Sequence, residues 1–340
     1  MWDRYVESHP EGRFSQLFAY RCIERAYGYR PHYFGIQSQG RLVGVLPAFE
    51  ARSALLGRRL VSQPFSEYGG LLLNADLGDS ARALVLASMR NFLGAQGFAE
   101  LETHGNYGCG SERLGFSRDN AQQLATLALA GDNDAVWNKS ISRHVRKAVR
   151  KAEREGLSTC EKSDVTALRE WFFPLYLRSM KRLGAPPHSL DFFLHSRAAF
   201  GEKMRVFWAL HDGAPIAGLL GFRCGRRVSI VNIVSDERAW HMRPNDLVHW
   251  EFIKWAVERG CLHFDFGSVR YQGQSQFKEK WGCDMQDSGY YFLAADAASV
   301  HRSFDSSSRT MALAGRVWQR FVPPTLARIM GPLLRRHLVR

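Results

Sequence analysis

Two lysines set between aromatics, Phe277-Lys278-Glu279-Lys280-Trp281, follow an isolated carboxylate, Asp265, in an alternating apolar stretch. Those residue types suit a transfer in which an amine attacks an activated acyl group. Such a reaction needs no protein nucleophile: positioning supplies much of the rate, and a fixed cation stabilises the oxyanion as charge develops. Lys278 is the candidate cation. Asp265 is a candidate for orienting the amine or accepting its proton, although a strand aspartate is more often an internal hydrogen-bond acceptor. The competing reading is a surface loop pinned by Phe277 and Trp281, with Lys278 and Lys280 solvated.

Other chemistries lack their residues. There is no Gly-x-x-x-x-Gly-Lys-[Ser/Thr] phosphate loop, no Gly-x-Ser-x-Gly elbow and no His-Glu-x-x-His, so metal, hydride and serine-nucleophile chemistry are disfavoured. The six cysteines form no Cys-x-x-Cys and do not cluster with histidine; Cys109 sits in a Gly-rich string with no identifiable base nearby. No metal site and no bound cofactor are expected.

A chain of 340 residues with 45% apolar content can bury a substantial core, and its length favours two domains. The net charge of +13 favours anionic partners: phosphorylated substrates, RNA or the inner leaflet of a membrane. No stretch approaches the roughly 18 consecutive apolar residues of a membrane span. The opening Met1-Trp2-Asp3-Arg4 lacks the layout of a signal peptide, which predicts a cytoplasmic protein.

The elements that must position these residues recur in one order. Strands are predicted at Tyr33–Ser38 and Arg41–Phe49 around Gln39-Gly40, then at Leu60–Gln63. A helix from Asp79 to a stop at Gly97 and a strand Phe98–Thr103 complete the set. The later half repeats it with a hairpin around Asp212-Gly213, a strand Val228–Val234, a helix from Pro244 to Gly260, and Leu262–Phe266. Gly97-Phe98-Ala99-Glu100-Leu101-Glu102 matches Gly260-Cys261-Leu262-His263-Phe264-Asp265, which suggests duplication with a mixed sheet in each half. After Phe266, Gly267 and Ser268 are expected to end the strand and a polar loop to follow.

Between the halves, Gly131-Asp132-Asn133-Asp134 marks a boundary, and a basic helix over residues 140–156 follows, capped by Ser140 or Ser142. Its apolar stripe is Val145, Ala148, Val149 and Ala152; Arg143, Arg146, Lys147 and Arg150 cover much of the rest. Concentrated like charge costs a few tenths of a kcal/mol per i,i+4 pair, about what an anionic ligand would relieve. Asp164 and Ser189 are expected to cap further helices, with Pro174 kinking the first. The N-terminus of the helix at Asn245-Asp246 could bind an anion, though Asp246 is expected to cap those amides itself. From about residue 296 an arginine-rich amphipathic tail either packs on the body or docks on anionic lipid.

In these motifs the chain resembles the FemAB-like branch of the GNAT acyltransferase superfamily, in particular its short exopolysaccharide- and PEP-CTERM-associated members. The resemblance spans most of the chain. It rests on Tyr68-Gly69-Gly70, the Arg146-Lys147-Ala148-Val149-Arg150-Lys151-Ala152 helix with Gly156-Leu157, and Leu183-Gly184-x-Pro186. It continues in Asn245-Asp246, Phe264-Asp265-Phe266-Gly267 and Phe277-Lys278-x-x-Trp281-Gly282. It implies an α/β (α+β) fold of two tandem GNAT-like domains, each a mixed, mostly antiparallel sheet flanked by helices, with the site in the cleft between them. The expected division is 1–130, 131–295 and a basic helical tail, 296–340.

Relatives transfer amino acids from aminoacyl-tRNA to the peptide of a cell-wall precursor, and the lysine matching Lys278 stabilises the acyl-transfer transition state. The resemblance thus makes Lys278 and Asp265 the catalytic candidates. The substrate-binding candidates are Arg143, Arg146, Lys147, Arg150, Tyr68, Gly69, Asn245, Arg270, Tyr271 and Lys280. The chain lacks the coiled-coil arm of the wall-bridge enzymes and the Gly-rich pyrophosphate loop of coenzyme A-dependent members, leaving aminoacyl-tRNA and acyl-CoA both open as donor.

The expected function is acyl or aminoacyl transfer to an amine of an anionic cell-envelope or exopolysaccharide precursor, with tRNA and a membrane surface as further candidate partners. The alternatives are an acyl-CoA-dependent N-acetyltransferase on an amino sugar and a non-catalytic double domain that binds RNA or polyanionic glycan.

Overall fold

The structure is a computed structural model describing residues 1–53, 57–105, 115–269, 272–296 and 309–337. Two compact units emerge: Met1–Gln122 with Asp287–Ser306 and Arg336–Arg340, and Gln123–Gln286 with Ser307–Arg335. The units are therefore not consecutive stretches of chain. The first boundary falls within a strand rather than at Gly131, and the tail helices belong largely to the second unit.

The first unit opens with short helices α1 (Trp2–Ser8) and α2 (Cys22–Tyr27). Strands β1 (Pro31–Ser38) and β2 (Arg41–Ser53) form an antiparallel hairpin whose turn, Gln39-Gly40, takes positive φ at both residues. Positive φ at both positions gives the turn the twist that antiparallel strands need. β3 (Gly57–Val61) pairs antiparallel with β2, and the two-residue β4 (Leu72–Leu73) also joins β2. Helix α3 (Asp79–Gln96), ended by Gly97 at φ +68°, carries the chain over to β5 (Glu100–His104), parallel to β3. Leu46, Leu60, Leu86, Leu93 and Leu101 form the core between α3 and this sheet.

β6 (Ser117–Ala128) leads into the second unit, where α4 (Asn133–Ala135) runs on as a π turn, Val136–Ser140. Helix α5 (Arg143–Arg154) follows, capped by Ser142, whose Oγ accepts from the Val145 amide at 3.4 Å. It buries Val145, Ala148, Val149 and Ala152, the stripe its spacing predicts. Next come β7 (Ser158–Glu161), α6 (Phe173–Leu183) and α7 (Leu190–Phe200). A π turn, Ala167–Phe172, runs directly into α6, and Pro174 follows it as the second residue of that helix. Asp164 and Ser189 cap the turns that follow them, as expected.

Strands β8 (Met204–His211), β9 (Ala214–Cys224) and β10 (Arg227–Ser235) are antiparallel neighbours. Helix α8 (Pro244–Glu258) then crosses to β11 (His263–Val269), which lies parallel to β10 and antiparallel to β6. Helix α9 (Gln272–Lys280) occupies the stretch expected as loop. β12 (Asp284–Ala294) pairs with β5, and α10 (Arg309–Phe321) and α11 (Pro324–His337) end the described chain. Each unit is a mixed, mostly antiparallel sheet flanked by helices, the architecture the duplicated pattern predicts. Among the described residues no helix is long and apolar enough to cross a membrane.

Candidate active site

Strand β11 does not stop at Phe266. Its register against β6 shifts between Asp265 and Gly267, and Gly267 takes φ +77°, so the strand bulges and continues to Val269. A bulge turns backbone groups out of the ladder, and bulges are frequent beside active sites. Here the carbonyls of Gly267 and Ser268 accept hydrogen bonds from Lys278 Nζ at 2.9 and 2.6 Å. The ammonium is therefore not solvated: Lys278 is 7% exposed.

Helix α9 is held where a polar, Gly-containing segment would otherwise be a poor helix. Phe277 and Trp281 lie one turn apart with rings 6.3 Å from each other, and Trp281 is fully buried. Gly282 then passes so close to the turn before α5 that a Cβ would lie 2.2 Å from Ser140 O. The Ser142 amide donates to Lys280 O at 3.0 Å, tying α9 to the start of α5.

Asp265 is an internal hydrogen-bond acceptor, as its place in a strand suggested. Its carboxylate is fully buried and accepts from Arg227 Nη1 at 2.7 Å, Thr126 Oγ1 at 2.9 Å and Ser229 Oγ at 2.7 Å. The first unit repeats the arrangement. Glu102, at the matching position of β5, is fully buried and pairs with Arg59 at 2.8 Å. Both arginines lie on the adjoining parallel strand, two residues before the partner of the acid (Val61 opposite Glu102, Ser229 opposite Asp265). A device present in both units ties parallel strands together, and Asp265 takes part in it.

A cavity of about 200 Å³ opens where the starts of α5 and α8 meet α9, lined by His144, Arg243, Asp246, Gln276, Phe277 and Lys280, among others. Arg243, the residue before α8, holds φ +67°, a left-handed conformation that costs about 1–3 kcal/mol in a non-glycine residue and collects at functional sites. Its Nε pairs with Asp246 at 3.0 Å. Burial pushes the Asp246 carboxyl up, against the pull of Arg243 and His144. The N-cap residue Arg243 makes no side-chain cap bond, while the Asp246 carboxylate accepts from its own backbone amide in the first turn of α8, in line with the expectation for it. The start of α8, Arg243 and Lys280 together favour an anion.

Against Phe277, which lines the cavity, packs His249, a residue the motifs did not single out. Its ring stacks on Phe266 at 5.3 Å and contacts Phe277 and Trp281. Nδ1 lies 2.7 Å from Asn245 O. A carbonyl only accepts, so the neutral ring carries its proton on Nδ1. Burial lowers its pKa to about 4, with the Lys278 charge adding to the fall and the Asn245 bond opposing it.

The unfolded histidine titrates near 6.5, so acid favours the unfolded state between the two values. Stability should fall by on the order of 3 kcal/mol from about pH 6.5 to about pH 4 and level off below. Urea unfolding at stepped pH measures that slope, and His249→Gln should flatten it; an unchanged slope would remove His249 as its source.

Not all candidates gather here. Arg146 Nη1 donates to the carbonyls of Trp137, Asn138 and Ile141, closing the π turn, and so serves the fold rather than a substrate. Arg143, Lys147 and Arg150 are exposed, with Arg150 6.0 Å from the Trp137 ring. The Asn245 side-chain Oδ1 is buried without a hydrogen-bond partner among the described residues. Tyr68 and Gly69 belong to the first unit: Tyr68 is buried, its carbonyl accepts from Ser15 Oγ, and Gly69 at φ +142° packs against Gln63. Arg270, Tyr271 and Cys109 lie outside the described residues. Arg243 and His249 escaped notice because one precedes a proline and the other sits in an apolar helix, places where neither residue type signals function.

Residues 139–279 match a family model described as an acetyltransferase (GNAT) domain. No curated protein matches the chain in sequence. Among solved structures, FemX is similar with a TM-score of 0.73 at 16% identity, over 86% of this chain and 95% of that one. A tandem GNAT protein from the clavulanic acid biosynthesis pathway is similar at 0.52 and 13% identity, over 88% and 94%. L-PGS from Bacillus licheniformis is similar at 0.51 and 14% identity, over 85% and 89%. At such identities the likeness is one of fold.

Proposed function

We propose that this chain, whose residues 139–279 match an acetyltransferase (GNAT) domain model and whose fold is similar to that of FemX, transfers an aminoacyl or related acyl group to an amine of an anionic envelope or exopolysaccharide precursor. The observation that carries the reading is the buried ammonium of Lys278, fixed by two main-chain carbonyls at the bulged end of β11. Burying a cation is costly even when it is hydrogen-bonded, and such groups collect at functional sites.

The amine lone pair adds to the acyl carbon and forms the C–N bond. The carbonyl electron pair moves to oxygen, where the Lys278 ammonium meets the new negative charge. Collapse expels the donor oxygen, which takes up a proton while the attacking nitrogen sheds one. The Arg243–Lys280 cavity holds an anionic group of the precursor or donor, and binding there orients the amine.

The likeness to FemX and the missing Gly-rich pyrophosphate loop favour aminoacyl-tRNA over acyl-CoA as donor. Incubation with labelled aminoacyl-tRNA or labelled acetyl-CoA, each with an amine-bearing envelope extract, tests this. Label should leave the tRNA. Consumption of acetyl-CoA alone would assign N-acetylation, and consumption of neither, with salt-sensitive RNA binding, would leave a polyanion-binding protein. Lys280 is exposed, so Lys280→Ala should leave the fold and kcat unchanged and raise KM about tenfold, the loss of one charge-assisted contact. An unchanged KM would return Lys280 to solvated surface.

A further inference from the structure

Among the described residues, helices α10 and α11 are packed on one side only. On that side α10 approaches the end of α6 closely: a Cβ on Gly184 would lie 2.7 Å from Gly315 O. Lys181 Nζ donates to Val322 O at 2.5 Å and Arg335 Nη1 to Pro186 O at 2.6 Å. Trp318 and Ala327 are buried, and Gly331 packs on Pro187.

The other side is apolar and, among the described residues, uncovered. Leu313, Val317 and Phe321 recur at i, i+4 and i+8 on α10 and are 56%, 48% and 69% exposed. Leu326, Ile329 and Leu333 recur at i, i+3 and i+7 on α11 and are 42%, 67% and 62% exposed. One helical stripe of this kind is notable on a water-facing surface; two on consecutive helices mark an interaction face.

The charge pattern identifies the occupant. From Arg309 to Arg340 the sequence holds seven arginines and no aspartate or glutamate. Arg316, Arg320 and Arg328 are exposed on the same two helices. A second copy of the chain would set arginines against arginines. An anionic bilayer supplies phosphates for the guanidinium groups and hydrocarbon for the stripes at once. Helices of 13 and 14 residues fall short of the roughly 20 needed to span, so they would lie in the plane of the interface.

We propose that the exposed face of α10 and α11 seats the protein on an anionic lipid surface. The proposal does not depend on the acyl-transfer reading. Co-sedimentation of the full chain with vesicles of phosphatidylcholine alone, or with one-third phosphatidylglycerol, tests it. Binding should be confined to the anionic vesicles and weaken as salt rises. Substituting Phe321, Ile329 and Leu333 together by serine should abolish it, and each of Arg316→Gln and Arg320→Gln should weaken it about fivefold.

Should the triple variant misfold by circular dichroism, Ile329→Trp replaces it: its fluorescence should shift to the blue on anionic vesicles. Wild-type binding by a folded triple variant, no blue shift, equal behaviour on both vesicles, or concentration-dependent dimerisation through this face would each overturn the proposal.

Discussion

Lys278→Ala should lower kcat by about 10²–10³ while changing KM little, the effect of deleting one fixed oxyanion-stabilising group. Charge on the carbonyl oxygen exists only as the amine adds, so an interaction with it is made in the transition state and lost from kcat. The substitution also leaves the Gly267 and Ser268 carbonyls without this donor, which costs about 1–3 kcal/mol for each that stays buried and unpaired. Activity must therefore be read at a temperature where circular dichroism shows the variant folded. Lys278→Met keeps most of the buried aliphatic stem and should be as inactive as the alanine variant but more stable. Turnover near wild type in either folded variant would remove Lys278 from the chemistry and leave it a strand-end clamp.

The largest stability effect is expected at Arg227. Arg227→Ala should cost about 3–5 kcal/mol, because it strands the fully buried Asp265 carboxylate without its cation. Thr126 and Ser229 would still donate to it, but two hydroxyls do not offset a buried charge. Arg227→Met combined with Asp265→Leu should be much less destabilised than Arg227→Ala, since no charge is then left to desolvate. Arg59→Ala should also destabilise the first unit, by less, since Glu102 keeps its contact with His104 Nε2 at 3.2 Å. Urea unfolding gives the comparison. A loss below about 1 kcal/mol for Arg227→Ala, the value of an exposed pair, would reopen Asp265 as a proton acceptor.

Much of the fold was legible because its signals are local. Gln39-Gly40 and Asp212-Gly213 turn hairpins through positive φ, Gly97 stops a helix, and Ser142 and Ser189 cap helices through amides three residues on. The stripe Val145, Ala148, Val149, Ala152 is buried because a 3.6-residue period places it on one face. Each outcome depends on residues within a turn or two of the chain, which is the range over which a sequence pattern operates.

The site was legible only in part. Lys278 stood out through its aromatic neighbours, but Gln272–Lys280 did not look helical, since Gly273 costs about 1 kcal/mol in a helix and only distant packing of Phe277 and Trp281 repays it. Gly267 was taken to end a strand that it bulges instead. Arg146 looked like a ligand for anions because nothing local says that three carbonyls of the preceding turn lie within its reach.

By itself, then, the sequence determined the order and kind of most elements and the basic helix, and it singled out Lys278. Tertiary structure decided what each charge is for. Register between parallel strands set Arg227 against Asp265, and the crossing of α5, α8 and α9 put Arg243, Asp246 and Lys280 around one cavity. A charge acts through space, over a few ångströms, so its role is settled by neighbours brought together from far along the chain.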